Sequence, residues 1–122
     1  MTMARPISYS VPCADKNGVI RFEPRLGTPI RLYIGNYQHR FAIQVHNSQT
    51  SLVHVETGLI VGDVNDAAVR MMCSRGGGAP TDRDAAKWLI DALIAQHGAD
   101  KINRQIKQKL AEVARYREVA VA

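Results

Sequence analysis

The chain reads as an α+β domain, with strands first and helices after. Three observations predict it. Apolar and polar residues alternate through the first half, the period of a half-buried strand. Glycine-bearing turn signals separate these runs at roughly 8–12-residue spacing, as in an antiparallel meander. After Gly62 the apolar spacing lengthens to three and four, the period of a helix.

The elements follow in order. Ile7, Tyr9 and Val11 alternate with Ser8 and Ser10, and Asn17-Gly18 supplies the residues of a tight turn. Val19 to Glu23 returns, with Ile20 and Phe22 on one face. Pro24 and Gly27-Thr28-Pro29 punctuate a loop. Ile30, Leu32 and Ile34 then point one way and Arg31 and Tyr33 the other, before a second turn at Gly35-Asn36. Phe41, Ile43 and Val45 mark the next strand, and the polar stretch Asn47 to Ser51 turns the chain. Leu52, Val53 and Val55 continue to a turn at Glu56-Thr57-Gly58, and Leu59-Ile60-Val61 returns. The prediction is about six strands, leaving one sheet face free.

In the second half, Asn65 caps a short helix through Cys73, and Thr81 caps a longer one. Asp82 and Asp84 sit in its first turn, against the positive end of the helix dipole. Ala85, Trp88, Leu89, Ala92, Leu93 and Ala95 form its apolar stripe, and Gly98 ends it. Asp100 opens a last helix with Ile102, Ile106, Leu110 and Val113 on one seam. That seam has the geometry of intramolecular packing and of helix-to-helix dimers alike. No linker divides the 122 residues, so the expectation is a single domain over 1–122, its sheet portion about 5–62 and its helical portion about 64–119.

Composition bounds the function. The chain carries 16 Lys+Arg against 11 Asp+Glu, a net charge of +5. Eleven of the basic residues are Arg, whose planar fork suits phosphate and carboxylate. The surplus is spread over both halves, whereas a duplex-DNA binder concentrates it in one stripe or tail. Cys13 and Cys73 lie far apart, outside any CxxC pattern, and read as reduced thiols. Cys73, beside Met71 and Met72, reads as core packing. Neither a signal peptide nor an apolar run of membrane-spanning length is visible, so a cytoplasmic setting is expected.

The candidate chemistry is sparse. Ser74-Arg75-Gly76-Gly77-Gly78-Ala79-Pro80-Thr81 is a glycine loop entering a helix start, where free backbone N–H groups and Arg75 favour an anion. It lacks the Gly-Lys-Ser/Thr ending of a P-loop. His46 and His54 sit on successive strands, where a hairpin is expected to bring them opposite each other, but no third ligand completes a zinc site. His39 and His97 read as a turn residue and a helix-end residue. No nucleophile, base and electrophile set emerges, so no enzyme is expected and no cofactor is implied. Tyr9, Tyr33, Tyr37 and Phe41 with Arg31 and Arg40 have the aromatic-basic character of single-strand binders, without RNP signatures.

A small protein with an N-terminal antiparallel sheet and two C-terminal helices resembles the phage-encoded first family of Thoeris anti-defence proteins. The segment Val53-His54-Val55-Glu56-Thr57-Gly58 also looks like a strand–turn pattern of small phage proteins. The resemblance implies a homo-oligomeric sponge that sequesters a nucleotide second messenger without turning it over, using Arg residues in pockets between protomers. From local physics, the ligand-binding candidates are Arg31, His54, Arg75, Gly76, Gly77, Thr81, Arg83 and Arg104. The alternative is a small inhibitor or adaptor, like an anti-CRISPR protein, that binds a protein or a nucleic acid.

Overall fold

A computed structural model of the chain describes residues 5–121. Five strands pair in chain order, each antiparallel to the next: β1 (Ile7–Ala14), β2 (Ile20–Ile34), β3 (Tyr37–His46), β4 (Gln49–His54) and β5 (Ile60–Asp63). Three helices follow, α1 (Val64–Arg75), α2 (Asp82–His97) and α3 (Ala99–Val121). The α+β class is as expected. The strand count is five because the two runs expected on either side of Pro24 are one 15-residue strand, β2.

β2 does two jobs. Its first half pairs with β1, from Ala14 opposite Ile20 to Ile7 opposite Gly27. Its second half pairs with β3, from Thr28 opposite Ile43 to Ile34 opposite Tyr37. Where partners change, a Cβ on Gly27 would stand 2.9 Å from that of Ala42, so glycine permits the close approach. The β1–β2 hairpin thereby lies over one side of the remaining sheet. Tyr9 and Val11 pack there on Ala42, Val53 and Val55, and the Tyr9 hydroxyl donates to the Gln44 side chain. The sheet face opposite the helices is therefore half covered, whereas the sequence reading left it free.

The main core lies on the other side. Ile30, Leu32, Ile34, Phe41 and Leu52 meet Val64, Ala67 and Met71 of α1, Ala85, Ala86 and Ile90 of α2, and Ile106 of α3. Asp63, not Asn65, caps α1, its carboxylate accepting from the Asp66 N–H at 2.8 Å. The helix runs past Cys73 to Arg75, and Cys73 is exposed rather than packed in the core. Thr81 caps α2 as its sequence predicts, accepting from the Asp84 N–H at 3.1 Å, and Gly98 ends it. No described helix is long and apolar enough to cross a membrane.

Candidate functional site

The open half of the outer face carries the site. The two-residue turn at Gly35-Asn36 places Arg31 directly opposite Arg40, and Tyr33 opposite Gln38. Alternation turns all four side chains away from the core that Ile30, Leu32 and Phe41 build on the other side. A cleft of about 1030 Å³ runs from this face past β2 to α2 and is bordered by Arg83, Asp84, Lys87 and Asp91. Where it reaches α2, the core residues Ile30, Leu32, Phe41 and Ile90 also line it. Such a volume accepts a ligand of nucleotide size, since small-molecule sites run to about 300–1,000 Å³.

The charges are arranged in an unusual way. Like charges directly opposite on a sheet repel, yet Arg31 and Arg40 face each other without a carboxylate between them. The ion pairs among the described residues engage Arg21, Arg25, Arg70 and Lys109. Arg31, Arg40, Arg83 and Lys87 make none. Four cations thus border one concavity against two carboxylates, Asp84 and Asp91. Tyr33, 62% exposed, adds an aromatic face beside them.

The sequence candidates divide among several places. Arg31 and Arg83 share this cleft. Arg75, the exposed last residue of α1, and Gly76 and Gly77 of the exposed connector after it lie outside the cleft, and the Gly76 N–H caps α1 by donating to the Met72 carbonyl. The Thr81 side chain is engaged as the α2 cap. Arg104 borders a second groove, of about 640 Å³, between the start of β3 and α3. His54 is 2% exposed, with both ring nitrogens engaged, so it meets no ligand directly. Tyr9 and Phe41 are likewise buried, leaving Tyr33 and Tyr37 as the exposed aromatics of the strand region.

The histidines pair differently from expectation. His46 stands opposite Gln49 and His54 opposite Phe41, because a two-residue turn at Asn47-Ser48 sets the β3–β4 register. Both turn residues have positive φ, 52° and 63°, as such a hairpin requires. His39 is a strand residue, not a turn residue, and it lies diagonally across from His54. His54 Nε2 and His39 Nδ1 are 3.2 Å apart, and His39 Nε2 lies 2.8 Å from Asn103 Oδ1 on α3. His54 Nδ1 lies 2.8 Å from Thr57 Oγ1. Burial first, and His39 second, push the pKa of His54 down to about 4. It is neutral at pH 7. Among the described residues, no three His, Cys, Asp or Glu side chains gather as metal ligands.

Lys87 is absent from the sequence candidates, and Arg40 appears there only in the aromatic-basic set of a single-strand binder, not among the ligand-binding residues. Arg40 was legible: a two-residue turn at 35–36 pairs positions summing to 71, and 31 and 40 do so. Lys87 was not, because which face of α2 meets β2 is a tertiary fact. Comparison with protein-family models, curated proteins and solved structures finds no match to this chain.

Proposed function

We propose that this chain is a non-catalytic anti-defence protein that sequesters a phosphate-bearing nucleotide in the cleft between β2, β3 and α2. The observation that carries the reading is the Arg31–Arg40 pair, directly opposed and without an acidic partner. An anion seated between the guanidiniums converts their repulsion into charge-assisted hydrogen bonds, the strong class. Arg83 and Lys87 add to the field, and Tyr33 offers a stacking face for a base. The reading accords with the phage sponge resemblance. It also moves the anion site from the glycine loop to the sheet, and a second copy of the chain over the open face supplies the remaining cover.

The test is sequestration and release. The purified chain is incubated with cyclic nucleotides, separated from free ligand and heated. Intact ligand recovered from the bound fraction supports the reading; cleaved ligand makes the chain an enzyme and overturns it. Arg31→Ala is expected to weaken binding roughly ten- to a hundredfold, the worth of a charge-assisted hydrogen bond of about 1.5–3 kcal/mol. Arg75→Ala is expected to leave it unchanged. If small nucleotides do not bind, and single-stranded nucleic acid binds with a steep salt dependence, the inhibitor or adaptor reading takes its place.

A further inference from the structure

The histidine pair belongs to a longer chain with a fixed direction. The Asn103 amide donates to the Ile34 carbonyl at 3.0 Å, so its oxygen faces His39 Nε2, which must carry the proton. Neutral His39 then accepts at Nδ1, and His54 donates from Nε2. Neutral His54 accepts in turn at Nδ1 from the Thr57 hydroxyl. That oxygen also accepts the Leu59 N–H at 3.2 Å. Every member donates toward one neighbour and accepts from the other. The chain links α3 to the β4–β5 turn through the interior.

We propose that Asn103, His39, His54 and Thr57 form a proton-operated switch: charging His39 reverses the chain and re-seats the Thr57 hydroxyl. His39 is half-buried and lines the α3 groove, which gives protons access. Charged His39 donates from both nitrogens. Its Nε2–H keeps Asn103, but its Nδ1–H now confronts the Nε2–H of His54, and two donors cannot share one hydrogen bond. Above about pH 4 burial disfavours a second charge, since His54 is 2% exposed and packs edge-to-face against the Phe41 ring, with centroids 5.3 Å apart. His54 therefore gives its Nε2 proton to water and takes one from water at Nδ1 during a local opening of the turn, and it stays neutral. One proton enters the chain in total.

The consequence falls on the turn. Thr57 Oγ1 then accepts from both His54 and Leu59, so its own hydrogen must find another acceptor. Thr57 is 1% exposed, so that acceptor must be a protein group reached by re-seating the hydroxyl. The turn lies against β1, where a Cβ on Gly58 would stand 2.9 Å from Pro12 Cδ. Protonation in the groove would thus be felt beside the β1 hairpin. The charged groups that line the groove with His39 are Asp100, Arg104 and Lys107; Tyr37 and the Phe41 ring complete its surroundings. His54 meets His39, Phe41 and Thr57.

A pH titration of the whole chain, followed by nitrogen NMR of the imidazoles, tests the switch. The expected result is that His54 passes from the Nε2–H to the Nδ1–H tautomer, uncharged, at the midpoint of His39. The Gly58 and Leu59 amide signals are expected to move at that same midpoint. A His54 that keeps its Nε2–H tautomer while His39 charges, or a Leu59 amide that does not respond, overturns the proposal. The exposed change Arg104→Glu, which leaves the four members intact, is expected to keep the two midpoints together. A His54 midpoint that stays behind that of His39 overturns the coupling.

Discussion

The outer face of the sheet has two halves that share β3, and they differ in chemistry. Under the β1 hairpin, β3 and β4 present Ala42 and Val53, both fully buried, and the satisfied polar group Gln44. Two residues along β3, beyond the hairpin, the same face presents Arg40 and Gln38, with Arg31 and Tyr33 opposite them. Strand alternation determines which residues share a face; it does not determine what covers them. The covered half is small and apolar, with glycine where backbones approach. The open half is long, cationic and aromatic. The four cations that border the cleft make no ion pair among the described residues, and the proposed anionic ligand rests on them.

The contrast is broken most severely by Ala42→Arg. Position 42 has no exposed surface, and Gly27 already lies against it. A buried unpaired guanidinium is expected to cost more than about 4 kcal/mol, with loss of the folded circular-dichroism signal. A variant that melts like the parent would mean that the hairpin lifts off freely.

The second effect is reached by pH, on the side of the sheet facing the helices. His54 is neutral in both states above about pH 6.5, and below that the unfolded chain takes up its proton first. Stability should therefore fall as pH drops from 6.5, levelling near 4. The total loss is about 3 kcal/mol, because each pH unit between those limits is worth about 1.4 kcal/mol. The urea midpoint measured against pH, compared with that of His54→Gln, isolates this contribution. Equal slopes in the two proteins would contradict it.

Gly27→Ala comes next. Its Cβ would meet Ala42 at 2.9 Å and the Ile43 carbonyl oxygen at 3.1 Å, an overpacking expected to cost about 1–3 kcal/mol by thermal denaturation. The smallest effect has the opposite sign. Arg40→Ala should stabilise the ligand-free chain by roughly 0.2–1 kcal/mol, by removing one of two facing like charges. Added nucleotide should stabilise the parent and not the variant. A destabilised variant in anion-free buffer would show that other contacts hold Arg40.

Much of this was legible in local chemistry. The alternation of Ile30, Leu32 and Ile34, the two-residue turn at Gly35-Asn36 and the Thr81 cap all read directly. At Asn17-Gly18 the turn is longer than expected, since Ala14 pairs with Ile20, and of the two residues Gly18 alone has positive φ. The continuity of β2 did not read directly, because Pro24, Gly27 and Pro29 are ordinarily strand breakers. They are tolerated here because each half of β2 pairs with a different neighbour, and a proline N–H is dispensable on an unpaired side. The histidine chain was hidden by register. Placing the turn across 47–51 rather than at Asn47-Ser48 loses the pairing of His54 with Phe41, and with it His39. Asn103 was out of reach, since it joins the chain from 64 positions away.

The order of the strands has a kinetic meaning. Each strand pairs with its sequence neighbour, so no ladder waits for a distant segment and each loop closed is short. Low contact order of this kind favours rapid pairing. During synthesis, β1 to β5 emerge before α1 to α3, and their pairing has no need of the helices. Until the helices dock, however, Ile30, Phe41 and Leu52 face water. The interval between the fifth strand and the last helix is then when the nascent chain is most prone to aggregate, and α3, which carries Ile106 to the core, brings it to an end.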